Sequence, residues 1–324
     1  MSPSDWKVPA AAQPKPLLYG YDLDRALSSV LALSSTVPSD AFTAETLGTE
    51  RAGNAVLIRE DGIILTIGYL VTEATSVWLT VNDGRVVPGH VIGYDAETGF
   101  GLVQALARLD LAALPLGRSA PAAVGDHVVI AGAGGRRRSV AGQIAMKQEF
   151  AGYWEYLLEE AIFTAPAHPH WGGTALIGAE GELLGIGSLQ LQRERGSGRT
   201  EHLNMIVPID LLRPILDDML RFGRPDRPPR PWLGLFATEI DGQIAIAGVA
   251  TGGPAETAGL QLGDLVIDVA GTPVDDLASF FRAVWKLGVA GAAVPFKVQR
   301  EGRSLDVTVA STDRALLLKR PVMH

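Results

Sequence analysis

Side chains able to do chemistry are few and scattered in this 324-residue chain. His168 and His170 flank Pro169, and a His-x-His pair can bind metal, with His202 as a third candidate ligand. The simpler reading is a pair of exposed loop histidines. Asp95 and Glu97 could act as paired carboxylates, against the plainer alternative of a solvated turn. Ser188 is a nucleophile only if a base activates it, and no His or Asp is placed to do so. His90 reads as the end of a strand. The absence of cysteine excludes disulfides, thiolate metal sites and a Cys nucleophile. The expectation is a chain with no metal and no cofactor.

The elements that position these residues are mostly short strands. Gly 37 and Pro 20 imply many turns, and 47% hydrophobic with 20% charged content is globular. The length suits two or three domains. A formal net charge of −8, with no basic block longer than Arg136-Arg137-Arg138, argues against nucleic acid as a partner. Residues 1–16 carry one lysine before position 15 and four prolines, without the apolar core of a signal peptide. No apolar run reaches the ~18 residues of a membrane-spanning helix. These features set a cytoplasmic expectation.

Residues 22–35 have a helical look, with Leu23, Leu27, Val30 and Leu31 on one face. From Gly53 the pattern turns to β runs. Val77, Leu79 and Val81 alternate with Trp78 and Thr80, which suits a half-buried strand, and Asp83-Gly84 signals a hairpin turn. Leu57 to Gly68 is echoed by Leu176 to Gly187: each is an apolar strand, an acidic-Gly turn and a second apolar strand. Such an echo is what two similar β-barrels would show. Residues 208–223 read as an amphipathic helix with Asp210 as its cap, Pro214 in its first turn and Gly223 as its stop. Residues 224–230 follow as a stiff, Pro-rich linker.

The run Trp171-Gly172-Gly173-Thr174-Ala175-Leu176, with the strand beyond it to Leu189, resembles the active-site strand of HtrA-type, trypsin-fold serine proteases. There the segment reads Asn-Ser-Gly-Gly-Pro-Leu. The resemblance runs from about Gly53 to Met219, and it implies a double antiparallel β-barrel. It also implies that the catalytic His, Asp and Ser fall on Tyr69, Gly99 and Trp171. The triad mechanism needs a hydroxyl, an imidazole and a carboxylate at those positions. Trp171 has no nucleophilic atom, Tyr69 is a poor base with an ordinary pKa near ~10, and Gly99 has no side chain. Deleting a triad costs on the order of 10⁶ in turnover. One oxyanion-hole donor falls on Pro169, which has no N–H, and such a loss costs roughly 10²–10³. Trp171 itself could bury on the order of 200 Å² and plug the cleft. The expectation is a pseudoprotease, not an enzyme. The competing reading keeps a hydrolase working through displaced residues such as His170 and Ser188.

Residues 231–311 resemble the PDZ domain that follows HtrA-type protease domains. The matching residues include Pro231-Trp232-Leu233-Gly234-Leu235, Gly253 to Leu260, Gly263 to Val274 and Val298 to Gly302. PDZ domains bind an extended peptide as an added strand and hold its terminal carboxylate in backbone N–H groups. By resemblance that loop is Trp232, Leu233, Gly234 and Leu235, with the strand from Phe236 to Thr238 as docking edge. Phe281 and Val284, on a helix over about 276–287, either wall the side-chain pocket or simply pack the core, and Trp232 is open in the same way.

The full expectation is a mainly β chain: an N-terminal segment over 1–40, available for oligomer contacts, and a trypsin-like domain over 41–223. The latter holds barrels over 41–118 and 119–207 and a helix over 208–223. The linker over 224–230, a PDZ domain over 231–311 and a tail over 312–324 complete it. Its partners would be apolar C-terminal or extended peptides and further copies of itself, a trimer among the options, with Trp6, Tyr19 and Tyr21 as contact candidates. A mixed oligomer that tunes an active homologue is the third reading.

Overall fold

The computed structural model describes residues 6–196 and 198–319. After a short helix α1 (Leu23–Ser28), six strands close a first barrel: β1 (Val30–Thr36), β2 (Glu50–Arg59), β3 (Ile63–Ile67), β4 (Ser76–Thr80), β5 (Val86–Tyr94) and β6 (Phe100–Ala105). Their order around the barrel is β1-β2-β3-β6-β5-β4. A one-turn helix α2 (Ala44–Leu47) lies between β1 and β2. The second barrel repeats the plan with β7 (His127–Ala131), β8 (Ser139–Gly152), β9 (Tyr156–Ala165), β10 (Ala175–Ile177), β11 (Leu183–Arg195) and β12 (Arg199–Pro208), in the order β10-β11-β12-β9-β8-β7. The sequence echo falls on equivalent hairpins, β2–β3 and β10–β11, and each turns at a glycine with positive φ, Gly62 at 90° and Gly181 at 81°. Closure removes the free sheet edges, and the inward alternating side chains, such as Val56, Leu65, Leu102, Ile130, Leu176 and Ile206, are fully buried.

Two local expectations are corrected. The stretch 22–35 is not one helix: it ends at Ser28, and Val30–Thr36 is the first barrel strand, paired with β2 and β4. The N-terminal segment therefore does not extend to residue 40. β-Branched Val30 and the alternating burial of Leu31, Leu33 and Ser35 fit a strand better than a helix face. Likewise 208–223 is a 3₁₀ turn at Ile209–Leu211 and then a short helix α3 (Leu216–Phe222). Pro214 cannot donate within a helix, so the regular helix starts only beyond it. Asp210 caps nothing there; its carboxylate accepts from Ala120 N–H at 2.8 Å.

The C-terminal sheet has the order β13-β14-β15-β17-β18, from β13 (Leu235–Ile240), β14 (Gln243–Val249), β15 (Leu265–Val269), β17 (Ala293–Arg300) and β18 (Arg303–Ala310), with β16 (Thr272–Pro273) paired to β15. Helices α4 (Pro254–Thr257) and α5 (Leu277–Trp285) flank it. Asp276 caps α5 through a reciprocal bond with Ser279, and the helix buries Phe280, Phe281 and Val284. Asp264, fully buried after the Gly263 turn, takes both prongs of Arg300 at 2.6 and 2.7 Å. The compact unit built on this sheet gathers Arg227–Leu318 and also Glu149–Glu159, the tip of the β8–β9 hairpin. The sequence reading assigned that tip to the protease-like domain alone.

Candidate functional site

Two places hold the residues that the resemblance singles out: the positions expected for the triad, and the loop of the C-terminal unit expected to hold a peptide carboxylate. In the first, Tyr69 lies in the 3₁₀ turn that follows β3. Its hydroxyl donates to the carbonyl of Ser188 at 2.8 Å and is hydrogen-bonded by the Trp171 side chain. Burial pushes the Tyr69 hydroxyl above the ordinary phenol range, and the Trp171 bond offsets only part of this, so the group stays neutral. Tyr69 and Ser188, matched to each other by the internal echo, therefore meet through one hydrogen bond. Ser188 is buried beside a bulge in β11–β12. Gly99, at φ 83°, accepts from Gly68 N–H at 2.6 Å, and Asp95 closes the preceding turn by accepting from Thr98 N–H and hydroxyl. Asp95 and Glu97 are thus parts of a turn, and His90 lies within β5, not at its end.

The loop before β10 is held from inside. Trp171 is half-buried, and its carbonyl accepts from the Thr174 N–H and hydroxyl. Gly173 N–H donates to Gly187 O at 2.8 Å. A Cβ on Gly173 would sit 1.7 Å from Asn54 O, and its φ is +76°, so both sterics and backbone require glycine. Asn54, which the sequence reading missed, clamps the loop: Nδ2 donates to the carbonyls of His170 and Gly172, and Oδ1 accepts from Ala133 N–H. A polar residue inside an apolar strand was the available signal. His168 is buried; its N–H and carbonyl are both bonded by Asn204, Nδ1 accepts from His170 N–H, and Nε2 donates to Arg138 O at 2.8 Å. Burial pulls its imidazole down to about 4, so it is neutral at pH 7. His170 is exposed, with its ring 4.7 Å from Trp6, and His202 sits beside Gln190 on the β11–β12 ribbon. Among the described residues, no three His, Asp or Glu side chains come together as metal ligands. Pro169 supplies no N–H.

In the second place, Trp232 pairs with Thr312, and its ring packs on Gly234, which has φ +74°. Leu233 and Leu235 are buried, Phe236 is half-buried on β13, and Phe281 and Val284 lie fully buried on α5 in the core beneath. The N–H groups of Leu233, Gly234 and Leu235 all point at one carboxylate, that of Glu155, at 2.9, 2.7 and 3.1 Å. Glu155 was not singled out from the sequence. Burial pushes its carboxyl up to about 7, against the three N–H donors and Arg314, which favour the charged form. Beside it, Ala237 N–H donates to Tyr153 O at 2.9 Å.

Residues 53–186 match the trypsin-like peptidase domain family, and residues 231–310 match the PDZ domain family. The chain is 28% identical over 274 residues to the "Probable periplasmic serine endoprotease DegP-like" of Halomonas elongata, covering 81% of this chain. It spans 56% of that relative's length. It is 25% identical over 316 residues to the serine endoprotease DegS of Salmonella typhimurium, covering 91% of this chain and 85% of the relative. In fold it is similar to the HtrA-type protease AlgW solved with a decapeptide, with a TM-score of 0.53 at 22% identity, covering 93% of this chain and 98% of that one.

These names correct the expectation that the chain is not an enzyme: the relatives that it matches are named serine endoproteases. At 25–28% identity the names do not by themselves assign turnover to this chain. The DegP-like relative is also named periplasmic, which points away from the cytoplasmic expectation. No helix among the described residues is long and apolar enough to cross a membrane. The chain thus carries a trypsin-like peptidase domain followed by a PDZ domain, and in that order and in its relatives it is similar to HtrA-type proteases.

Proposed function

We propose that this chain is a peptide-binding, regulatory protein of the HtrA type that takes up apolar protein C-termini through its PDZ domain. The observation that carries the reading is the convergence of the Leu233, Gly234 and Leu235 N–H groups on a single carboxylate. A loop that satisfies one carboxylate with three backbone donors is chemically ready for the carboxylate of a chain end. The periplasmic name of the DegP-like relative supports a place of action in the cell envelope. The family context also favours further copies of the chain, or an active homologue, as partners, which mass measurement in solution would read.

The test is fluorescence anisotropy with labelled decapeptides ending in Val, Leu or Phe. Saturable binding of the free-carboxylate peptides, lost when the same peptides are amidated, is expected. Equal binding of both forms would contradict the reading. A second reading, favoured by the relatives' names, is an endopeptidase that uses groups other than the matched triad. Casein cleavage blocked by a serine-directed fluorophosphonate would support it, and the labelled peptide would name the nucleophile.

A further inference from the structure

The partner of the carboxylate loop belongs to this chain. The three-residue turn Tyr153, Trp154 and Glu155 joins β8 to β9, and it and its flanks make five kinds of contact within the C-terminal unit. The Glu155 carboxylate fills the N–H nest of Leu233, Gly234 and Leu235. The carbonyl of Tyr153 accepts from Ala237 N–H on the outer edge of β13, and the Tyr153 ring lies 6.0 Å from that of Phe236. Ala151 packs against the apolar core of the unit. Arg282, on α5, binds Glu149 and Glu159, one on each leg of the hairpin.

The register of these contacts is that of an added strand. From Tyr153 to Glu155 the hairpin advances two residues, while its partners retreat two, from Ala237 to Leu235. An antiparallel strand whose last group is a carboxylate would run this way along β13. The backbone agrees. Glu155 has φ 61°, the left-handed position of a three-residue hairpin loop, where glycine is the favoured residue. A glutamate held there brings its carboxylate into the nest at some conformational cost.

We propose that the Tyr153–Glu155 tip is the resident ligand of the PDZ groove, with the Glu155 side chain standing where a chain-terminal carboxylate would sit, so that a protein C-terminus binds only by displacing it. This rests on the peptide-binding reading above. A tethered occupant competes at an effective concentration on the order of millimolar. The apparent affinity for an incoming peptide is reduced by the fraction of molecules with the groove open. Burial of the Glu155 carboxyl works against the occupant and keeps it displaceable.

The experiment compares the full chain with Glu155→Gly, which suits the left-handed backbone, and with Glu155→Gln, which keeps the size of the side chain. Anisotropy uses a labelled decapeptide ending in a free-carboxylate Val, and hydrogen exchange is followed over residues 232–238. Glu155→Gly should bind at least about tenfold more tightly, as expected when an occupant fills nine-tenths of the grooves. Without peptide its 233–235 amides should exchange faster than in the wild type, and peptide should restore their protection. Glu155→Gln should shift both readouts in the same direction. Measurable but equal affinity in all three proteins would overturn the resident-ligand proposal and leave peptide binding intact. Fast exchange of these amides in the wild type would overturn it as well. No binding by any of the three, with the amides protected only in the wild type, would overturn the peptide-binding reading and the displacement step with it.

Discussion

The triad cleft and the PDZ loop are both filled by the chain itself, but in different ways. In the cleft the fillers are built into the walls: Tyr69 is bonded to Ser188 O, Asn54 grips the carbonyls of His170 and Gly172, and Gly173 N–H is spent on Gly187 O. Nothing there can leave without unpicking a buried network. In the PDZ loop the filler is a carboxylate at a hairpin tip, meeting three backbone donors that, on the proposal above, a chain end also engages. On the proposal above, the difference separates a site consolidated for stability from one left exchangeable. Mutations in the first should change unfolding, and those in the second should change binding.

The largest effect is expected at Gly173. Gly173→Ala places a Cβ against Asn54 O in a left-handed backbone, and should lower stability by about 4 kcal/mol or prevent folding; urea unfolding measures it. A loss under about 1 kcal/mol would mean that the loop is looser than described. Next is the pH response of His168. Its folded-state pKa is depressed from 6.5 to about 4, so the unfolded chain binds the proton more readily. Stability from this group is present above pH 6.5 and is lost as pH falls through about 4, a difference of about 3 kcal/mol. His168→Gln should flatten that slope by a similar amount in unfolding curves recorded across the same range. Asn54→Ala should cost about 2 kcal/mol by orphaning buried groups, read by thermal unfolding. The smallest effect falls on the groove side: Arg282→Ala removes two exposed ion pairs with Glu149 and Glu159, so unfolding should change by less than about 1 kcal/mol. Peptide affinity should rise at the same time because the hairpin is held less firmly. A variant that loses stability without gaining affinity would break the contrast.

Much of the architecture was legible because it is written in local patterns. Acidic-Gly turns between apolar runs marked the two hairpins. The misreadings came where two periodicities overlap. Val30 and Leu31 continue the apolar face of α1 by count, yet they open a strand, and Pro214 sits inside an apolar stripe that it interrupts. The resemblance put the expected triad and oxyanion positions at Tyr69, Gly99, Trp171 and Pro169. Their hydrogen-bond partners were not, because Asn54 and His170 are 116 residues apart and Glu155 and Gly234 are 79 apart. Such contacts depend on tertiary closure, which no local window contains. A glutamate at a left-handed turn position was the one outward sign of Glu155, and it is visible only in the backbone.

The most direct test of the account follows the backbone amides of Leu233, Gly234 and Leu235 by ¹⁵N NMR during titration of the full chain. The titrant is a decapeptide ending in Val, used once with a free carboxylate and once amidated. The account predicts that these three resonances shift and saturate together with the free-carboxylate peptide and stay in place with the amide. Resonances that never move, or that move alike with both peptides, would contradict it.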